Sequence, residues 1–85
     1  MKNNDRYYRT QHFNLACFLF ARGMEIADID RSEDSRRATF VFVVRPEIEE
    51  LAHEFNFAKE NEEIVMVDAR KIFYAIKALK EKLYA

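Results

Sequence analysis

The stretch from Thr10 to Gly23, TQHFNLACFLFARG, constrains the fold more than any other part of the chain. It holds a polar residue suited to a helix start, a dense apolar run and the only glycine of the sequence. The Thr10 hydroxyl can accept a hydrogen bond from a free N–H of the first helical turn, so Thr10 is expected to be the N-cap. Gly23 suits the left-handed position just past a helix C-terminus, where a side chain would clash. Helical spacing puts Phe13, Ala16, Cys17 and Phe20 on one stripe. It puts Leu15, Phe18 and Leu19 round the other side. A surface helix normally shows one apolar stripe. Two stripes require cover on both sides, either from the rest of the same domain or from a second copy of the chain. On the second alternative Leu15, Phe18 and Leu19 are the protein-contact residues, and the simplest partner is a homodimer.

The strongest strand signal is RRATFVFVVR. Phe40, Phe42 and Val44 alternate with Thr39, Val41 and Val43, and both sets are mostly apolar. Such a strand is expected at the centre of a sheet, with cover on part of each face. The segment MEIADIDR before it reads as a second strand anchored by Met24, Ile26 and Ile29. Residues 32–35 form a polar turn, so the two strands make an antiparallel hairpin. Tyr7 and Tyr8, between Arg6 and Arg9, can add an edge strand ahead of the first helix.

Pro46 ends the central strand and fits the first helical position. Ile48, Leu51, Ala52 and Phe55 follow at i, i+3, i+4 and i+7, the pattern of an amphipathic helix. Residues 56–63 read as a polar connection and residues 64–67 as a short strand. Asp68 suits the N-cap of a last helix whose apolar face is Ala69, Ile72, Phe73, Ile76, Leu79 and Leu83. Arg70, Tyr74, Lys77 and Glu81 line its other face. The expected architecture is a small two-layer α+β domain, residues 1–85. In it an antiparallel hairpin sheet packs with about three helices, in the order (β)αββα(β)α.

A chain of 85 residues can build only one modest core, and its eight Phe and four Tyr supply the ring area that such a core needs. Charge is unevenly spread: residues 46–67 carry seven glutamates against Lys59, whereas residues 68–85 carry five Lys/Arg against Asp68 and Glu81. Pairing between the second and last helices is the simplest use of that contrast. The overall net charge of −1 lacks the basic excess of a dedicated nucleic-acid binder. One cysteine excludes an internal disulfide and a cysteine zinc cluster. It also makes a reducing, cytoplasmic setting the default. The apolar run is shorter than a membrane span, and no secretory cleavage site follows it, so neither a membrane nor a secretory role is expected.

Thr10, Leu15-Ala16, Phe18-Leu19, Gly23, Phe40-Val41-Phe42, Pro46-Glu47 and Val67-Asp68-Ala69-Arg70 together resemble a family of short, uncharacterised prokaryotic and phage-associated proteins, a domain of unknown function. The resemblance spans most of the chain but lies in caps and core positions, and it implies no catalytic residues. Arg45, before Pro46, and the lack of a glycine turn in residues 56–63 depart from the family pattern.

No catalytic pattern stands out. Cys17 sits between Ala16 and Phe18, where a thiol is a small hydrophobe rather than a nucleophile. Glu49 and His53 lie one helical turn apart without further local ligands, and His12 reads as a surface residue. No cofactor or metal is expected, and the chain is read as a non-enzymatic interaction domain acting by self-association. The alternative is a mobile-element accessory protein that binds nucleic acid weakly through Arg31, Arg36 and Arg37 at the hairpin turn. Glu33 and Asp34 in the same turn oppose a phosphate backbone.

Overall fold

In the computed structural model, residues 6–31 and 37–84 are described. The elements run β1 (Tyr7–Thr10), α1 (Phe13–Ala21), β2 (Ile26–Asp30), β3 (Thr39–Val43), α2 (Ile48–Phe57), a 3₁₀ turn (Glu63–Val65) and α3 (Ala69–Leu83). This is an α+β fold: three helices and a three-stranded antiparallel sheet.

The strand order is β1-β3-β2, and β3 is antiparallel to both neighbours. β1 and β2 are therefore parallel to each other, with β3 slotted between them. The chain must pass from one sheet edge to the other, and α1 is the element that makes the crossing. That route explains its two apolar stripes. Leu15, Ala16, Cys17, Phe18 and Leu19 are all buried, at 5, 0, 3, 2 and 0% exposure. α1 packs against α3 and also against α2.

Local chemistry sets both ends of α1. The N-cap is His12, not Thr10: the His12 Nδ1 accepts from the Leu15 N–H at 3.2 Å. Thr10 is still paired in β1, where its hydroxyl accepts from the His12 N–H at 3.0 Å. It thus stands two residues upstream of the cap. At the other end the Gly23 N–H donates to the Phe20 carbonyl and the Met24 N–H to the Leu19 carbonyl, each at 3.0 Å. This crossed pair is the Schellman arrangement, and it requires the left-handed φ of +95° that Gly23 adopts.

One sheet face carries the core. Tyr8, Phe40, Phe42, Ile26 and Ile29 belong to the cluster built with α1, with Ile48, Leu51 and Ala52 of α2, and with Ala75 and Leu79 of α3. Val41 and Val43 lie on the opposite face, outside that cluster. They stand outside the helix-packed cluster, yet the part cover expected on this face of β3 is present at Val41. Val41 is 7% exposed, flanked by its cross-strand partners Arg9 and Asp28.

The later half departs from expectation in five respects. Pro46 and Glu47 form a turn ahead of α2, because the Ile48 N–H bonds to the Arg45 carbonyl at 3.1 Å. α2 then runs on to Phe57, past the expected start of the connection. Within the connection Asn61 takes the left-handed conformation (φ 69°) that a glycine would otherwise supply.

Residues 64–67 add no strand: Glu63–Val65 form the 3₁₀ turn, and Ile64, Val65 and Val67 pack against the core as side chains. Arg22 fixes this turn by donating from Nη1 to the Ile64 carbonyl at 2.5 Å. On α3 the buried residues are Ala75 and Leu79, while Phe73 is 68% exposed. Finally, α1 contacts both α2 and α3, and the ion pairs among the described residues are Arg45–Glu25 and Arg70–Asp68. Neither joins α2 to α3, so the expected charge pairing of those helices is not formed. Asp68 does cap α3, accepting from the Arg70 N–H at 2.8 Å.

Candidate anion-binding groove

Two sets of residues were expected to make contacts, and the fold separates them. Leu15, Phe18 and Leu19 lie inside the chain's own core. Phe18, for example, packs on Phe55 with ring centroids 5.0 Å apart. A side chain covered by its own domain has no surface left for a second copy, so any self-association must use other residues. Arg31 and Arg37 are exposed at the hairpin end of the sheet, and Arg36 lies outside the described residues.

Around Arg31 and Arg37 four parts of the chain converge. The β1–α1 link brings Gln11, and the first turn of α1 brings Phe13. β3 and the residues before it bring Arg37, Ala38 and Phe40. The end of α3 brings Lys80, Leu83 and Tyr84. With Arg31 these line a groove of about 520 Å³. Its floor is apolar, since Phe13 and Phe40 meet there with ring centroids 5.8 Å apart. Tyr84 stands at its rim, 77% exposed.

Counting described residues alone, and so leaving aside Glu33 and Asp34 of the expected turn, the charge in this groove has one sign. Among the described residues Arg31, Arg37 and Lys80 line it and no carboxylate does. Part of that charge has a structural use. Arg31 donates from Nη1 to the Leu83 carbonyl, one of the last carbonyls of α3, where the helix dipole is negative. A guanidinium has five N–H donors, so this bond leaves others for a ligand. Gln11 is held by a bond from Nε2 to the Thr39 hydroxyl at 3.5 Å.

A second groove of about 520 Å³ lies at the far end of the α1–α3 pair, lined by Phe20, Ala21, Asp68, Arg70, Lys71 and Tyr74. It is equal in size but mixed in charge. Arg70 there is committed to Asp68 at 2.8 Å, and that hydrogen bond holds the Asp68 carboxyl below its ordinary range. Volume does not distinguish the two grooves as anion sites. Charge does.

The remaining candidate groups have local partners. The Cys17 thiol is buried at 3% exposure, and desolvation pushes it up to about 11, against a smaller opposite pull from Lys80. His12 caps α1 and lies edge-on to Phe55 at 6.2 Å. His53 packs on Phe57 at 4.9 Å. Among the described residues no three His, Cys, Asp or Glu side chains come together as a metal site. No helix among them is long and apolar enough to cross a membrane.

Sequence reasoning missed Gln11, Phe13, Lys80 and Tyr84 as groove residues. Phe13 had a sufficient local explanation in the core stripe of α1, and Lys80 stands in the last turn of α3, where a cation suits the helix dipole whatever else it does. Only the folding of α3 back over the hairpin end joins residues separated by more than forty positions.

The family model of a domain of unknown function, DUF5659, matches residues 5–85, and the chain belongs to that family. No curated protein and no solved structure matches it.

Proposed function

We propose that the chain is a non-enzymatic binding domain whose groove at the hairpin end takes a phosphate-bearing ligand, specifically a short segment of single-stranded nucleic acid. One observation carries the reading: among the described residues, Arg31, Arg37 and Lys80 share a groove with an exposed tyrosine and no carboxylate. Cations track a phosphate backbone, and an aromatic ring offers a base a surface to stack on. A groove of about 520 Å³ falls in the range of small-ligand sites. That is enough for a nucleotide or two, not a long footprint. The binding is weak and tolerant of sequence, because three cations give attraction without a set of donors aimed at base edges. The reading sets the protein in the prokaryotic cytoplasm, as an accessory protein of a phage or other mobile element.

The test is fluorescence anisotropy of labelled single-stranded DNA and RNA, with a duplex as control, at low salt. The expected dissociation constant is on the order of 10⁻⁵ M, with log K falling against log salt at a slope of roughly −2. Arg37→Glu and Lys80→Glu should each weaken binding and flatten that slope. Arg31 is left intact because it also holds α3. A wild type that binds none of these probes at low salt removes the proposal. So does binding that both substitutions leave unchanged.

A further inference from the structure

Among the described residues no helix lies over the outer face of the sheet, and the side chains of that face are arranged by charge. The register places Arg9 of β1, Val41 of β3 and Asp28 of β2 level with one another across the three strands. Tyr7 pairs with Val43 one step along, and Asp30 with Thr39 one step the other way. The face therefore has a centre in which Val43 is half-buried and Val41 is already covered by its neighbours, with Arg9 on one flank and Asp28 on the other. Arg9 and Asp28 are both exposed. Arg9 lies over the Tyr7 ring, 5.7 Å from its centroid, and Tyr7 is 43% exposed.

We propose that this face receives a second copy of the same chain, the two sheets packing face to face about a two-fold axis parallel to β3. The charges select that partner and that axis. Rotation about a line parallel to the central strand keeps the level of each residue and exchanges the flanks. β3 then lies over the partner's β3, and each Arg9 lies over the partner's Asp28. A two-fold interface must be self-complementary, and this face meets that condition because its opposite charges stand on opposite flanks at one level. Sheets pack about 10 Å apart with a modest angle between their strands, within reach of these side chains. A face of three short strands buries less than a standard interface, so the dimer is weak, with a dissociation constant on the order of 10⁻⁴ M. The groove lies on the helix side and stays open in the dimer.

Charge reversal tests both the face and the axis. Arg9→Glu sets a carboxylate against the partner's Asp28. Asp28→Arg sets a guanidinium against the partner's Arg9. Each variant alone should self-associate roughly tenfold more weakly or worse. Mixing the two restores association, because in the heterodimer both facing pairs are opposite in sign. Sedimentation equilibrium reads the masses, and circular dichroism establishes that the exposed substitutions leave the fold intact. A wild type that remains monomeric at about 1 mM overturns the proposal. A mixture no more associated than its parts overturns it equally.

Discussion

At the scale of single residues, burial decides what a substitution does. Phe42 is fully buried in the central strand, against α1 and α2 side chains of the same cluster. Phe42→Ala should cost about 3–5 kcal/mol, since the neighbours can collapse only partly into the space. Phe18→Glu places a charge where the native ring is 2% exposed, so it should unfold the chain rather than release a folded monomer. Urea unfolding followed by circular dichroism checks both, with Glu49→Ala on exposed α2 surface expected to shift stability by less than about 1 kcal/mol. Cys17 adds a pH dependence. Its folded thiol is pushed up to about 11, above the roughly 8.5 of a free thiol. A thiol with a raised folded pKa favours the folded state fully below the unfolded value. That contribution is lost as pH rises through the folded value. Stability should therefore fall between about pH 8.5 and 11, and fall less steeply in Cys17→Ala. Tyr8, raised by burial and by Glu49, contributes in the same direction in both proteins.

At the scale of elements, the end of α1 and the start of α3 were legible in the sequence, whereas the starts of α1 and α2 were not. Gly23 closes α1 as its sequence position indicates, and nothing lies within 4 Å of where a Cβ would stand. The cost of Gly23→Ala is then a matter of backbone alone. It should be about 1–2 kcal/mol, with Gly23→Asn milder because asparagine tolerates the left-handed region. Thermal unfolding of the two variants separates strain from crowding, since crowding would make Asn the worse. Asp68 was readable for a similar reason: its carboxylate acts within two residues of its own position. The face of α3 was less legible. Phe73 fits the apolar stripe on spacing, yet it is 68% exposed and Ala75 is buried. Close approach of α1 to α3 favours a small residue at the contact, and hydrophobicity ranking does not anticipate that.

At the scale of the molecule, the groove and the outer sheet face lie on opposite layers, so their roles should separate. Arg37→Glu should weaken binding of a short oligonucleotide without changing the sedimented mass. Arg9→Glu should change the mass and leave short-oligonucleotide affinity within about twofold. An oligonucleotide long enough to reach both grooves of a dimer should lose more affinity in Arg9→Glu, through lost bivalency. Anisotropy and sedimentation on the same two variants check all three outcomes. If either variant alters both short-oligonucleotide affinity and mass, the two surfaces are not independent.

The sequence by itself determined the α+β class, the central place of β3, the hairpin it makes with β2 and the chain positions of three helices. Each of these follows from interactions a few residues long: alternation, helical spacing, a cap and a left-handed stop. Tertiary structure decided the rest. It turned residues 64–67 from a strand into core anchors, because Ile64, Val65 and Val67 are drawn onto the core rather than to a sheet edge. It enclosed Leu15, Phe18 and Leu19 within one chain, because α1 crosses between the sheet edges and meets two other helices. It also brought Gln11, Arg31, Arg37, Lys80 and Tyr84 to one groove. Local patterns record how hydrophobic a position is. Only the packed arrangement of the elements records which surface covers it.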